Sequence, residues 1–378
     1  MPTPKTPAKP PVRVLMLMAT AGGGHKSAAE SITAALVAKY GSRVEVQTVD
    51  VLKEYAPQPL DKAPEFYQLM IKAPATWKGL YDMYDGVRRA KMLNSTITIA
   101  ARRHTEIMLE NHPADIIVST YHFANSPVLD YLARKGLNTP FVTVVTDLVT
   151  APPVWFDSRA TLCIVPTPDV TEIGLRCGLA LEQIKVIGMP VKSTFVPPEK
   201  PKSELKAALG WPTHRPAIIA MAGGEGIGSL GKIAAYLTTL DATIIVITGK
   251  NEALYHKLTT RNPPENLRVY GFVSNMQDLM QAADLIVTKA GPGTIMEALN
   301  SHLPLVLYSK LSGQEDGNVD FVTKNGAGLW LPRLHEMPGS IETLLHHPRA
   351  LSSMTEAAAG LAQPGASSKI ATAIGKLF

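Results

Sequence analysis

The chain predicts an α/β protein built as two similar halves facing a cleft. Three observations carry the prediction. Two glycine-rich turns, Gly22-Gly23-Gly24-His25 and Gly223-Gly224-Glu225-Gly226, lie about two hundred residues apart, and each follows an apolar run. Strand-like and helix-like segments alternate through both halves, the pattern of a mostly parallel sheet. Between the halves, Phe195-Val196-Pro197-Pro198-Glu199-Lys200-Pro201-Lys202 is rich in proline and poor in apolar residues, and reads as a linker.

In order, Arg13–Ala19 is the first strand and Lys26–Tyr40 the first helix, with Ala, Ile and Leu at helical spacing. Val44–Asp50 alternates as a strand. An irregular, proline-punctuated insert follows from Tyr55 to Leu93, then a helix near Thr96–Glu110. Asp115–Thr120 is a buried strand, Ser126–Lys135 a helix, and Pro140–Thr146 a strand ending in Asp147. Thr161–Val165 and Lys185–Ile187 are shorter strands. The second half restarts with strands at Ala217–Met221, Thr243–Thr248, Leu267–Tyr270, Leu285–Thr288 and Leu305–Leu307, with helices between. The tail puts Ile370, Ile374 and Leu377 on one helical face, suited to packing across the junction or touching a membrane. The expected division is a flexible lead-in (1–11), a first domain (12–196), a linker (197–204), a second domain (205–350) and a helical tail (351–378) crossing back to the first domain.

The bulk properties bound the function. The 378 residues suit two domains, and 46% hydrophobic content supports two cores. No apolar run reaches the ~18–20 residues that span a bilayer. Only Cys163 and Cys177 are present, so a disulfide framework is not expected and a reducing compartment is. The net charge of +5 matters through its distribution. Between Lys62 and Arg103 stand eight basic residues, Arg88 and Arg89 among them, against three acidic ones, mixed with aromatic and aliphatic residues such as Trp77. That mixture suits contact with an anionic membrane surface; its competing reading is a solvated helix with a core-facing stripe. No nucleic-acid motif or long basic run is present.

The glycine turns carry the chemistry. Open α/β sheets bind ligands beyond the carboxyl ends of their strands, where glycines allow close approach and the next helix offers free N–H groups. Gly223–Gly228 is such a turn. So is Lys289-Ala290-Gly291-Pro292-Gly293-Thr294, which leads into a helix at Ile295–Leu299. Pro292 cannot donate, but the amides of Gly293, Thr294 and Ile295 form a pocket for a diphosphate. One turn later, Glu297 is placed to accept from a pair of ribose hydroxyls. Neither turn fits the spacing of dinucleotide-binding or triphosphatase loops. Downstream, Gly313-Gln314-Glu315-Asp316-Gly317-Asn318 is dense in side chains that bind sugar hydroxyls, or that cap a helix. In the first half, His25 opens a helix, whose dipole disfavours its protonated form; it is a candidate base or a capping residue. Asp147 ends a strand and is a second candidate base, a partner orienting a histidine, or a cap. His122 lines the same pocket or sits satisfied in the core. The histidines show no metal-ligand spacing.

These segments, with Thr146-Asp147-Leu148 and Gly271-Phe272-Val273, resemble the monogalactosyldiacylglycerol synthase and processive diacylglycerol glucosyltransferase family, lipid-sugar glycosyltransferases of the GT-B fold, with two Rossmann-like domains facing a cleft. They occur in the family's order and span nearly the whole chain. The resemblance implies metal-independent, cofactor-free, inverting transfer of a hexose, galactose or glucose, from a UDP-sugar to the hydroxyl of diacylglycerol. It implies UDP-sugar binding by Gly223, Gly224, Gly226, Phe272, Val273, Gly291, Gly293, Thr294, Glu297, Gln314, Glu315 and Asn318. Phe272 and Val273 would lie near the uracil, and Gln314, Glu315 and Asn318 at the hexose. His25 and Asp147 would be the catalytic candidates, with Gly24, His122, Trp77, Arg88 and Arg89 toward acceptor and membrane. The insert is where that family docks on its membrane. Lys310-Leu311-Ser312 departs from the family, which has a proline beside the glycine. With no plant-type transit peptide, the expected location is peripheral, on the cytoplasmic face of a bacterial cell membrane.

Rival readings are the peptidoglycan N-acetylglucosaminyl transferase of the same fold, whose first turn carries more glycines than follow Ala21, a nucleotide-sugar epimerase, a non-catalytic UDP-sugar-binding protein, and a nicotinamide oxidoreductase.

Overall fold

The structure is a computed structural model that describes residues 10–20, 23–58, 62, 78–79, 81–82, 85–222, 229–260 and 262–378. The lead-in up to residue 9, most of the insert including Trp77, Gly22, and the turn holding Gly223, Gly224 and Gly226 lie outside the described residues.

The first half is a six-stranded parallel sheet. Its strands are β1 (Val12–Met18), β2 (Val44–Asp50), β3 (Ile116–Ser119), β4 (Phe141–Val144), β5 (Leu162–Val165) and β6 (Ile184–Val186), in the order β2-β1-β3-β4-β5-β6. β3, β4 and β5 are buried along their whole length, the continuous apolar pattern of strands covered on both faces. β2 lies at the edge and keeps Glu45, Gln47 and Thr48 exposed. Crossover helices α1 (Gly23–Tyr40), α2 (Val51–Tyr55), α3 (Val87–Asn111), α4 (His122–Lys135) and α5 (Pro168–Arg176) connect the strands.

The second half repeats the plan after α6 (Lys202–Ala208). Strands β7 (Ala217–Met221), β8 (Thr243–Ile247), β9 (Leu267–Tyr270), β10 (Leu285–Lys289), β11 (Leu305–Ser309) and β12 (Gly328–Trp330) form a second parallel sheet, ordered β12-β11-β10-β7-β8-β9. Its helices are α7 (Leu230–Leu237), α8 (Glu252–Thr259), α9 (Met276–Ala282), α10 (Pro292–Asn300), α11 (Asp316–Lys324), α12 (Met337–Leu345), α13 (Pro348–Leu361) and α14 (Ala366–Gly375). The order reverses between β1 and β3 in one sheet and between β7 and β10 in the other. At such switch points neighbouring connections leave on opposite faces and open a crevice at the strand ends. Each crevice is flanked by a glycine-bearing segment: residues 23–25 after β1, and 289–294 after β10.

Three departures from the sequence reading matter for the site. α1 begins at Gly23 rather than Lys26, which puts Gly24 and His25 inside its first turn. α3 starts at Val87, about nine residues before the expected helix, because Arg88-Arg89-Ala90-Lys91-Met92-Leu93 are strong helix formers preceded by Gly86 at φ 127°. Arg88 and Arg89 therefore lie on a helix rather than in an irregular insert. β12, of three residues, is too short for its periodicity to show.

The halves interlock. Ile370, Ala371, Ala373 and Ile374 of α14 pack in the first half's core with Ile32 and Leu36 of α1. A Cβ on Gly375 would collide with the Tyr40 hydroxyl, so glycine lets the helix end against α1. In the opposite direction, Leu148, Met189, Val191 and Phe195 bury in the second half's core. Gln363 spans the crossover: it receives the Met189 amide at 2.8 Å, donates to Pro166 O at 2.8 Å, and its own amide binds Asn300.

Candidate active site

The first crevice is built around His25. Its Nδ1 lies 2.7 Å from the carbonyl oxygen of Thr120, at the end of β3, and 3.0 Å from Thr146 Oγ1, after β4. A carbonyl only accepts, so Nδ1 carries the proton and Nε2 keeps its lone pair. The Thr120 hydroxyl returns a bond to His25 O at 3.0 Å. Burial pushes the imidazole down to about 4, with the Thr120 carbonyl opposing. The ring is thus neutral at pH 7, chiefly through burial rather than the helix dipole. Around it stand Tyr121, His122 and Trp155, with ring centroids 5.4, 5.8 and 5.9 Å away. His122 is wedged against Phe123 at 4.1 Å and Trp155 at 5.0 Å, and burial holds its pKa far below the usual range. Asp50 fastens Thr20, at the end of the segment after β1, accepting from its amide at 3.1 Å and from its hydroxyl.

Asp147 is buried, and both its oxygens are engaged. Oδ2 accepts from Trp155 Nε1 at 2.6 Å, and Oδ1 from Gln314 Nε2 at 2.9 Å. Burial raises its pKa and the two donors oppose that. No hydrogen bond joins it to His25, which is oriented instead by Thr120 and Thr146.

The second crevice opens at α10. Gly291 caps this helix without a side-chain bond, Pro292 takes the first position, and a Cβ on Gly293 would meet nothing within 4 Å. Glu297, one turn on, has its carboxyl pushed up to about 7 by burial, with Lys192 opposing. The loop after β11 is fixed from within. Glu315, 3% exposed, accepts the Leu311 amide at 2.7 Å and lies 3.7 Å from Lys289 Nζ. Asn318 Nδ2 donates to Ala290 O at 2.9 Å. The Oε1 of Gln314 and the Oδ1 of Asn318 are buried without a partner among the described residues. Val273 packs on the core, whereas Phe272 is 71% exposed.

The crevices meet where the segment after β4 docks on the loop before α11. Besides the Asp147–Gln314 bond, Gly317 N donates to Thr150 Oγ1 at 3.1 Å, and a Cβ there would overlap Thr150 and Val149. Tyr81, from the insert, is buried against Gly313, whose φ of 88° and lack of a Cβ allow the contact. The sequence reading gave no role to Asp50, Tyr81, Thr120 and Trp155, and quoted Thr146 only as the neighbour of Asp147. Each acts through a neighbour brought close by the fold.

Comparison with known proteins bears on this geometry. The family model for monogalactosyldiacylglycerol synthase matches residues 25–191, and that for the glycosyltransferase family 28 C-terminal domain matches residues 229–370. A probable chloroplastic monogalactosyldiacylglycerol synthase of Glycine max is 37% identical over 377 residues, covering 95% of this chain and 70% of the relative. The chain belongs to the monogalactosyldiacylglycerol synthase family. Monogalactosyldiacylglycerol synthase 1 of Arabidopsis thaliana is 35% identical, with the same coverage of both chains. A member of this family is an enzyme, a glycosyltransferase. The Acinetobacter baumannii MurG structure superposes with a TM-score of 0.61 at 16% identity, over 97% of this chain and all of that one. The Neisseria meningitidis UDP-GlcNAc 2-epimerase gives 0.61 at 14% identity, with the same coverage. Both likenesses show the fold alone, and the two Rossmann-like sheets are of the GT-B kind.

The expected location needs correction. The relatives from Glycine max, Nicotiana tabacum, Arabidopsis thaliana and Spinacia oleracea are named chloroplastic enzymes, which overturns the reading of a cytoplasmic cell-membrane face. That reading leaned on a missing transit peptide, and the start of a chain does not settle where its family works. Among the described residues, no helix is long and apolar enough to cross a membrane.

Proposed function

We propose that the chain transfers galactose from UDP-galactose to the free hydroxyl of diacylglycerol, inverting the anomeric centre in one displacement. The observation that carries the reading is His25: a neutral imidazole of fixed tautomer at one crevice, beside a junction to the hydroxyl-binding loop of the other. The galactosyl and diacylglycerol parts come from the relatives' names.

In this reading the acceptor oxygen attacks the anomeric carbon as its proton passes to His25 Nε2. The bond to the diphosphate breaks and its electron pair leaves with UDP from the opposite face. The growing charge rests on the amides at the start of α10, which need no reorganisation during the step. Glu297 takes the ribose hydroxyls, and Gln314, Glu315 and Asn318 the hexose. Asp147 already accepts two hydrogen bonds, so the proton is assigned to His25. Closure of the two halves excludes water that would hydrolyse the donor.

An exposed face of α3 supports contact with an anionic membrane. Met92 is 73% and Ile99 68% exposed, seven residues apart and so on one side of the helix. Arg88, Lys91, Arg102 and Arg103 flank them, all exposed. Apolar groups rimmed by cations suit a headgroup boundary.

The test is transfer from UDP-galactose and from UDP-glucose, separately, to diacylglycerol in anionic liposomes, with the anomeric linkage read by NMR. A β-linked galactolipid is expected. A product from UDP-glucose alone would reassign the sugar, an α linkage would exclude single displacement, and no product from either would refute the function.

A further inference from the structure

We infer that Asp147 is a positioning residue that sets the polarity of the Gln314 side-chain amide, and through it the recognition of the donor's hexose. The inference rests on the proposed UDP-sugar reading and concerns how that site reads its sugar.

An amide side chain offers a donor at one end and an acceptor at the other, and the two are interchangeable by rotation. Something must therefore fix which end a ligand meets. For Gln314 the fixing group is Asp147: a carboxylate only accepts, so the Gln314 nitrogen turns to it, at 2.9 Å, and Oε1 is left over. Asn318, four residues on, is fixed in the same sense, because its nitrogen is held by the Ala290 carbonyl at 2.9 Å and Oδ1 is left over. Both leftover oxygens are buried and without a partner among the described residues. Buried acceptors without donors are rare and costly. Two of them, one on the loop before α11 and one in the first turn of that helix, call for a ligand that brings hydroxyl donors. Asp147 is itself held by Trp155, whose indole can only donate.

This geometry makes a directional statement about substitution. In Asp147→Asn, the Trp155 N–H still requires the oxygen of the new side chain, which turns its NH2 toward Gln314. The Gln314 amide then rotates to accept, and presents NH2 where the hexose expects an acceptor. Adding Gln314→Glu restores the pattern: a carboxylate accepts from the new NH2 with one oxygen and offers the other to the sugar. The double exchange also conserves net charge at the junction.

The test uses the full chain and titrates UDP-galactose and UDP in parallel, with steady-state transfer kinetics alongside. Expected for Asp147→Asn is a loss of UDP-galactose affinity of about tenfold to a hundredfold, the range for a mispaired buried hydrogen-bonding group, with UDP affinity unchanged. The loss appears in the donor KM, and Asp147→Asn with Gln314→Glu recovers it. Gln314→Leu, which leaves Asp147 intact, should lose the same hexose-dependent affinity, and it serves if Asp147→Asn does not fold. An unchanged ratio of UDP-galactose to UDP affinity in these variants overturns the inference. So does a fall in kcat at constant donor KM that the double exchange fails to recover, which would make Asp147 the base. Absence of galactosyl transfer by the unsubstituted chain would instead overturn the proposed function, while the affinity ratios still decide the role of Asp147.

Discussion

Donor binding should titrate near neutrality, because Glu297 does. The carboxyl sits one turn into α10, where burial pushes it up to about 7 and only Lys192 opposes. A group with that pKa is roughly 10% ionised at pH 6, half ionised at pH 7 and 90% ionised at pH 8. The ribose hydroxyls donate, so the carboxylate form binds them. The affinity for UDP-galactose should then rise about tenfold from pH 6 to pH 8, about 1.4 kcal/mol. The sugar nucleotide is a diphosphate diester with no titration in this interval, so the change belongs to the protein. Calorimetric titration at pH 6, 7 and 8, on the unsubstituted chain and on Glu297→Gln, measures it. The variant should bind more weakly than the parent at pH 8 and show no slope. A flat profile in the parent, or an undiminished slope in the variant, would refute the reasoning. The same raised pKa has a stability consequence. The unfolded chain ionises this carboxyl near 4.5 and the native state holds its proton until about 7, so its contribution to stability falls as pH rises through that window.

Removing His25 should act on the chemical step: His25→Ala is expected to lower kcat by about 10²–10⁴ while UDP affinity stays unchanged, and a near-normal kcat would remove the residue from the mechanism. Its depressed pKa keeps the base form present above about 4, so kcat should fall only as pH drops toward 4; an acid limb near 6.5 would contradict the half-buried, neutral ring. Gly317→Ala should lower kcat/KM more than Tm, because the added Cβ strikes Thr150 and Val149 where one half docks on the other; thermal unfolding beside kinetics tells the two apart. Met92→Asp with Ile99→Asp should weaken cosedimentation with anionic liposomes by tenfold or more, given about 1.5 kcal/mol or more for each large apolar side chain withdrawn from water; unchanged sedimentation would move the membrane contact off α3.

Much of the architecture was legible in the chain. Parallel strands covered on both faces leave unbroken apolar runs such as Ala217–Met221, and the crossovers between them need glycine, proline or a cap at fixed places. The order of the strands within each sheet was not legible, since the same runs fit several orders, nor was the short β12. The site divides the same way. The place of Gly293 and Glu297 at a helix start was readable, because that helix is local and an open N-terminus next to a glycine is a property of a few consecutive residues. The contacts of Trp155, Thr120 and Thr146 with Asp147 and His25 were not readable, because only the folded sheet creates them.

The sequence by itself therefore determined the two α/β halves and the kinds of side chain at each strand end, both of which follow from periodicity and backbone preference over short stretches. The tertiary structure decided what those side chains do. Burial, not sequence neighbours, sets the protonation of His25 and Glu297. The Thr120 carbonyl selects which nitrogen of His25 is free, and the docking of one half on the other gives Asp147 its partners from both. Protonation and hydrogen-bond polarity depend on dielectric surroundings and on distances across the fold, and a linear chain holds neither.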